Sequence, residues 1–294
     1  MPNEIRIPSP SFAPLRSRLK GSVMDDPFTR GRYATDASIY QMMPHAVVVP
    51  ETLGDVEATL DFARERGIAV LPRGGGTSQC GQTVNHAVVI DTSKHLNRIL
   101  ELDVEGCRCL VEPGIVLDEL NRQLKPHGLW FPVDVSTSSR ATIGGMAGNN
   151  SCGGRSIRYG MMRDNVTAID AILSDGSTAR FGDVASTSPS GLLKELQPRL
   201  LAMGETYGAD ILDGFPKVLR RVGGYNVDAL IPDAMAMRPG GAAGDGINLS
   251  HLLVGSEGTL AYSTAIELKL WPLPAKKIMG ICHFPTFYKA MDAA

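Results

Sequence analysis

The sequence predicts an α+β fold, and three observations carry that prediction. Short β-branched runs recur along the chain, stretches of helical spacing alternate with pairs of such runs, and 32 glycines gather largely in clusters between them. The 294 residues leave room for one large domain or two small ones. With 43% hydrophobic and 20% charged residues the composition is that of a globular protein, not of a disordered chain, a coiled coil or a collagen-like repeat.

Residues 1–39 carry Pro2, Pro8, Pro10, Pro14 and Pro27 with no sustained period, and read as an arm laid over the body. Ala46-Val-Val-Val49 is a buried strand by its β-branched run. Pro50 closes it, and Thr52 with Asp55 forms an N-cap and its acidic partner. Leu53, Val56, Leu60 and Ala63 then keep helical spacing up to Gly67, a C′ residue, and Ile68–Leu71 is a second strand. Strands follow at 87–91, 99–103 and 107–111. Cys107 and Cys109 alternate on one face of the last as small side chains, because no other Cys or His stands at ligand spacing. Residues 115–127 read as a helix with Val116, Leu117, Leu120 and Leu124 on one side. Strands at 166–173 and 178–181 join through the turn Asp175-Gly176, and a helix runs from Leu192 to about Met203. Residues 232–248 read as an irregular insertion, and strands return at 252–254 and 260–270.

Composition also excludes functions. Lys and Arg number 29 against 31 Asp and Glu, a net charge of −2, so no positive excess exists to hold a nucleic acid. Five cysteines without a C-x-x-C pair give neither a disulfide framework nor a zinc or iron–sulfur site, and fit a reducing compartment. No signal peptide and no transmembrane segment are expected, which points to the cytoplasm, with a peripheral contact to the inner membrane left open. His45, His86, His95, His127, His251 and His283 lack H-x-x-E-H or H-x-H pairing and read as loop residues. No metal site is expected, and no catalytic residue is assigned.

Three glycine clusters carry the chemistry. The first, Pro72-Arg-Gly-Gly-Gly-Thr-Ser-Gln-Cys-Gly-Gln-Thr83, follows a strand and presents successive unobstructed backbone N–H groups, suited to a phosphate or pyrophosphate. Gly76 to Thr83 is one residue from a P-loop, but Gln82 stands where the phosphate-binding lysine would be, and no G-x-G-x-x-G follows a strand. The cluster therefore reads as the nest of a pyrophosphate ligand other than a nucleoside triphosphate, or as a tight structural loop. The second, Ala141 to Gly160, could lie against a flat heteroatom-edged ring or be a glycine-lined helix packed on a sheet. The third, Gly255-Ser-Glu-Gly-Thr259, is a site wall or simply a turn.

At these clusters the sequence resembles the PCMH-type FAD-binding domain of the vanillyl-alcohol-oxidase superfamily. Within it, the chain is similar to the FAD-linked D-2-hydroxyacid dehydrogenases, such as D-lactate dehydrogenase, the glycolate oxidase flavin subunit and D-2-hydroxyglutarate dehydrogenase. The matching residues are Arg32-Tyr, Asp36, Tyr40, Pro50, Pro72 to Thr77, Asp91, Glu112-Pro-Gly114, Pro132-Val-Asp134, Ala141 to Gly145, Asn149, Ser156, Tyr159-Gly160, Asp175-Gly176, Gly224-Tyr225 and Gly255 to Leu260. They run in family order over about residues 30 to 275. The run from Ala147 to Gly160 is most similar to large bacterial enzymes in which a flavin part precedes an iron–sulfur part.

The resemblance implies a PCMH-type fold of two α/β subdomains with FAD between them. The FAD-binding domain would span 40–275, divided at about 100, after the arm of 1–39 and before a truncated cap domain starting at 276–294. Arg73, Gly74, Gly75, Gly76, Thr77 and Ser78 would cradle the pyrophosphate, with Gly81 and Gln82 continuing that wall. Asp134, Ser136, Thr142, Gly144 and Gly145 would line the phosphates and ribityl chain, and Asn149, Ser151, Gly154 and Ser156 would approach the isoalloxazine. The segment around Val166 would reach the adenine, while Glu257 and Gly258 would close the site. Arg220, Arg221, Tyr225 and Asn226 would face the substrate side of the flavin or form a solvated face.

The implied activity is oxidation of a D-2-hydroxy acid by hydride transfer to flavin N5, with an unidentified electron acceptor. The alternative is a nucleotide-binding module, or a flavin subunit without redox activity of its own. Superfamily members attach flavin covalently through a histidine after the arginine-glycine loop. Thr77 holds that place here, so FAD is expected to be non-covalent. An iron–sulfur cluster and a divalent metal are expected only in a C-terminal part that this chain does not contain. Two departures stand out: Ala261 replaces a usual glycine, and 232–248 lengthens the link to the third cluster.

Overall fold

The computed structural model describes residues 11–218, 220–232 and 246–294. Its first unit comprises α1 (Ala13–Arg16), β1 (Ser22–Met24), α2 (Pro27–Arg32), β2 (Ala46–Val49), α3 (Leu53–Arg66), β3 (Val70–Arg73) and β4 (Val88–Asp91). The sheet order is β1-β2-β4-β3, with β1 antiparallel to β2 and the other pairings parallel. Every residue of β2 and β4 is buried, as befits parallel strands covered on both faces.

The segment read as an arm contributes to this unit. Val23 of β1 pairs with Val48, and Phe12, Leu15 and Val23 join Ala46, Val48, Phe62 and Val88 in one apolar cluster. Three elements of three to six residues are too short to show a period, which is why the sequence reads as irregular there. Asp55 ties the segment down. Its carboxylate accepts the amides of Lys20, Gly21, Glu51 and Thr52 while Thr52 caps α3. Burial opposes ionisation, but those amide bonds hold its pKa below the usual carboxylate value.

The second unit comprises β5 (Ile99–Asp103), β6 (Arg108–Val111), α4 (Leu117–Leu124), β7 (Leu129–Trp130), α5 (Ile143–Asn149), α6 (Ser156–Tyr159), α7 (Met162–Asn165), β8 (Val166–Ile172), β9 (Thr178–Phe181), α8 (Leu193–Gly214), α9 (Ser250–Leu253), β10 (Tyr262–Lys269), β11 (Trp271–Pro272) and α10 (Phe287–Asp292). Its main sheet is antiparallel in the order β5-β6-β10-β8-β9. The largest core lies under this sheet, where Leu117, Leu120 and Leu124 of α4 meet Val111, Ile169, Ile266 and Leu268. β10 comes late in the chain yet occupies the sheet's centre. The third glycine cluster, just before it, is thereby delivered to the first unit, where a side chain at Gly258 would stand 3.5 Å from Pro72. A small cluster of Val56, Ile90, Leu96, Ile172 and Tyr262 joins the two units.

Several elements differ from the sequence reading. Cys107 has φ +49 and belongs to a turn held by Gly106 N–H donating to Asp103, so β6 begins one residue later. The helix expected at 115–127 is α4 followed by a 3-10 turn at Lys125–His127. α8 runs eleven residues beyond Met203, to Gly214. Gly204, inside this helix, lets Leu230 approach, since a side chain there would strike the Leu230 carbonyl. The expected strand at 252–254 is mostly helix α9, whose first turn is held by the Asn248 side chain accepting from Ser250. That apolar run is buried on all sides, so its period is silent. The last expected strand begins at Tyr262 rather than 260. Residues 278–284, within the stretch expected to begin a cap domain, form no strand and have no sheet partner among the described residues, with Ile278 96% exposed. The irregular reading of 232–248 falls largely outside the described residues.

Candidate cofactor site

A cleft lies where the units meet. The first cluster forms one wall. Arg73, at the end of β3, donates to the carbonyls of Tyr33 (3.0 Å), Thr83 (2.8 Å) and Thr35 (2.7 Å), which fixes both ends of the loop. Asp36 accepts from the Thr83 hydroxyl at 2.9 Å. Gly76 turns with φ +63 directly over the Arg73 guanidinium, where a side chain would collide. Three of the arginine's N–H donors are thus taken by carbonyls.

The second unit supplies the facing wall. A side chain at Gly75 would strike the Arg140 carbonyl, and one at Gly74 would strike Thr142 Oγ1, so the seam closes only because both are glycine. Thr142 caps α5 through Gly145 N–H, and Gly144 N–H donates to the Pro113 carbonyl at 2.8 Å. From there α5 leads to Asn149, whose Nδ2 donates to Glu257 Oε1 at 3.0 Å while its Oδ1 accepts from Ser151 at 3.0 Å. Glu257 N–H in turn donates to the Gly148 carbonyl. All three clusters therefore meet. Burial raises the pKa of Glu257, against the opposing bonds from Asn149 and Gln82.

The cleft is lined by Arg73, Gly74, Ser78, Gln82, Thr142, Gly144, Gly145, Glu257 and Gly258 among the residues singled out in the sequence. Gly75, Gly76, Thr77 and Gly81 shape the loop behind that lining. Asp134 accepts from Arg155 N–H at 3.0 Å, and its carbonyl sits against Gly153, which anchors the second cluster. Asn149, Ser151, Gly154 and Ser156 continue along that cluster, with Ser156 Oγ accepting from Gly153 N–H. Ser136 is exposed. Val166 is not brought to the cleft. It is buried in the main core at the end of β8 away from the Tyr262–Ile172 pair.

Sequence reasoning named Thr83, Gly148 and Ser256 only within the glycine clusters and missed Thr92, Leu253, Tyr262 and Ser263, all of which also line the cleft. Pro113, another lining residue, had been marked only as part of a motif. For Tyr262 and Ser263 the one available signal was their place just after the third cluster. Asn226 is buried and the Arg221 side chain keeps only 15% of its surface exposed. Arg163, fully buried, donates to Asn226 (3.1 Å) and Asp228 (2.7 Å), and Arg221 donates to the other Asp228 oxygen at 2.7 Å. Arg220 and Tyr225 are exposed, and there Arg220 donates to the Gly153 carbonyl and Tyr225 bonds Thr259 at 2.7 Å. Among the described residues no histidine lines the cleft, and no three His, Cys, Asp or Glu side chains are placed to hold a metal.

Comparison with known proteins identifies what this cleft belongs to. Residues 44–182 match the family model described as the FAD binding domain. This segment is an FAD-binding domain. The chain is 36% identical over 273 residues to the D-2-hydroxyglutarate dehydrogenase of Pantoea ananatis, covering 89% of this chain and 25% of that protein. It is 30% identical over 264 residues to the glycolate oxidase subunit GlcD of Bacillus subtilis, covering 89% of this chain and 44% of that one. The chain thus spans about a quarter to under half the length of these curated relatives. Among solved structures, an alkyldihydroxyacetonephosphate synthase matches with a TM-score of 0.59 at 20% identity, over 86% of this chain and 38% of that one. The BBE-like 1 protein of Physcomitrella patens matches at 0.59 and 13%, over 90% and 45%. The α+β architecture is that of the PCMH-type FAD-binding proteins. The residues present fit the cofactor: an amide nest for a pyrophosphate, polar side chains along the second cluster for a ring edge, and a buried Tyr262 hydroxyl with no partner among the described residues.

Proposed function

We propose that this chain is the flavin-holding part of an enzyme that oxidises D-2-hydroxy acids of the D-2-hydroxyglutarate, D-lactate or glycolate class. The observation that carries the reading is the meeting of three glycine clusters, from both units, around one cleft. FAD, held by these residues, would supply a hydride acceptor for the substrate α-carbon and an outlet for the electrons. The chain's own part is to hold and orient. Amides of Gly74 to Ser78 bind the pyrophosphate, with Thr142, Gly144 and Gly145 as the opposite wall. Asn149, Ser151, Gly154 and Ser156 set the ring edge, and Asp134 braces that segment through Arg155. Arg220 and Tyr225 are exposed and would meet a carboxylate and a hydroxyl by exchanging their bonds to Gly153 and Thr259.

Hydride removal from a 2-hydroxy acid also requires a base at the hydroxyl and a fixed cation for the carboxylate. Glu257 is the one carboxylate among the described lining residues, and it is engaged by Asn149 and Gln82. The chain by itself is therefore expected to hold FAD while reducing it slowly or not at all. Five free thiols support a reducing compartment, the cytoplasm or the cytoplasmic face of the inner membrane. No helix among the described residues is long and apolar enough to cross a membrane.

The test begins with FAD added to the purified chain, followed by gel filtration and an absorption spectrum. Retained flavin bands that are released on acid precipitation are expected. Absence of flavin would overturn the reading, and flavin left in the precipitate would overturn non-covalent attachment through the Thr77 loop. Anaerobic mixing with D-2-hydroxyglutarate, D-lactate, glycolate and D-malate then follows flavin bleaching. Rapid bleaching would place the base inside this chain and make Arg220, Tyr225 and Glu257 the first residues to substitute.

A further inference from the structure

Residues 33–42 lie between α2 and β2, and none of them lines the cofactor cleft. They nevertheless hold the glycine loop 73–83 from one end to the other. At its base Arg73 donates to the Tyr33 and Thr35 carbonyls, and at its turn Ala37 N–H donates to the Gly76 carbonyl at 3.2 Å. Farther on, the Tyr40 ring lies against Gly81, whose φ is +81 and where a side chain would come within 2.6 Å of that ring. At the far end Asp36 Oδ2 accepts from the Thr83 hydroxyl at 2.9 Å and the Thr83 amide at 3.4 Å, while Oδ1 accepts from the Ser38 amide at 2.8 Å. The segment is also closed on itself. Thr35 pairs with Gln41, and Met42 N–H donates to the carbonyl of the buried Ala34 at 2.9 Å. Burial opposes ionisation of Asp36, but the bonds from Ser38 and Thr83 hold its pKa below the usual carboxylate value.

We propose that residues 33–42 are a strap that sets the glycine loop in its ligand-binding shape before the cofactor arrives, with Asp36 as a positioning residue that acts through Thr83. The inference rests on the flavin reading above, and gives a part in it to a segment outside the cleft. A loop with glycines at 74, 75, 76 and 81 has many conformations open to it, and ordering it costs free energy. A loop ordered only on binding subtracts that cost from affinity, whereas a loop ordered in the free protein has met it on folding. Thr83 is the point of transmission, because its hydroxyl and amide bond the strap while the residue itself lines the cleft. A carboxylate suits position 36, since donors approach both of its oxygens. An asparagine there would accept on one side only, its amide nitrogen being a donor.

The experiment measures FAD dissociation constants for the wild-type chain, Asp36→Asn, Thr83→Val and the double variant, together with the melting temperature of each apoprotein. Titrations are made well below that temperature, so that weakened binding reports the loop and not the folded fraction. Asp36→Asn is expected to weaken FAD roughly tenfold, on the scale of one hydrogen bond to a charged group. Thr83→Val keeps the shape of the side chain without its hydroxyl, and should weaken FAD by a similar factor. The double variant should lie within about twofold of the weaker-binding single one, because both substitutions remove the same link. Unchanged FAD affinity in a folded Asp36→Asn overturns the proposal. So do effects that multiply in the double variant, which would mean that Thr83 meets the cofactor independently of the strap. Should Asp36→Asn not fold, Tyr40→Ala takes its place, since that ring is 55% exposed. It should weaken FAD about threefold with the apo melting temperature unchanged, and unchanged affinity there overturns the proposal equally. If the wild-type chain binds no FAD, the flavin reading itself fails and the inference falls with it. If it binds FAD and the folded variants bind as tightly, the inference alone fails.

Discussion

Arg73 and Arg163 stand on opposite sides of the cleft, and both hold a glycine-rich segment in place. Arg73 lies at the end of β3 and gives its donors to three neutral carbonyls of the first unit. Arg163 lies behind the second cluster with no exposed surface, and it shares the carboxylate of Asp228 with Arg221 while its own amide bonds Asn150. Asn150 needs that support, since it holds a left-handed conformation at φ +55 that only a minority of non-glycine residues adopt. One arginine therefore shapes a loop that must stay open to a ligand, and the other locks a segment against which the ligand is to lie. Loss of a hydrogen-bonded brace and loss of a buried ion-pair partner differ in cost, because the second leaves the buried Asp228 carboxylate with only Arg221 of its two described cationic partners.

A paired substitution breaks or sharpens that comparison, and carries the largest expected effect. Arg163→Met should destabilise the chain by about 3–5 kcal/mol, the loss seen when one partner of a buried ion pair is removed. Arg73→Met should cost only about 1–3 kcal/mol, and should appear mainly as weakened FAD retention. Urea unfolding of both apoproteins, together with FAD titration, separates the two. Equal loss of stability in the two variants would mean that Arg73 is also a global support.

The next effect belongs to the loop that Arg73 shapes. Gly75→Val should abolish FAD retention, because the branched side chain blocks the pyrophosphate and strikes the Arg140 carbonyl across the seam. Flavin absorbance after gel filtration measures it, with circular dichroism to show that the units remain folded. Full FAD occupancy in a folded variant would remove residues 72–83 from the phosphate site.

Much of this arrangement was legible in the sequence for a physical reason. Strands and helices with a buried stripe, such as Ala46–Val49 and Leu53–Arg66, announce themselves by period and caps. The three clusters announce themselves because bare backbone has few other uses. What stayed hidden has no local signature. The β1 segment is stabilised by pairing with β2 and by Asp55 some thirty residues away, and α9 is buried all round. Arg221 and Asn226 look like a polar stretch beside a glycine pair, but their partners Asp228 and Arg163 are chosen by the tertiary fold. Tyr262 is hidden for the same reason. An aromatic at the start of a strand looks like any core residue until its hydroxyl is seen to lack a partner among the described residues.

Glu257 gives the smallest expected effect, and it links the two sides of the comparison, since Gln82 comes from the Arg73 loop and Asn149 from the segment that Arg163 supports. Burial raises its pKa, so the folded chain binds a proton that the unfolded chain releases at the same pH. The stability this contributes is present below the unfolded carboxylate value and is lost as pH rises through the higher folded value. FAD binding should follow the same sign. An ionised carboxylate beside an incoming pyrophosphate repels it, so affinity should fall as pH rises through that window. Glu257→Gln keeps a hydrogen-bonding side chain against Asn149 but cannot ionise. Its FAD affinity should be nearly flat with pH, and should exceed that of the wild type by roughly two- to fivefold on the alkaline side, a modest factor because the group is partly open to water. Dissociation constants measured between pH 5 and 8 decide the matter. Parallel pH profiles for the two proteins would show that Glu257 does not titrate there, leaving its bonds to Asn149 and Gln82 as a mechanical latch between the walls of the cleft.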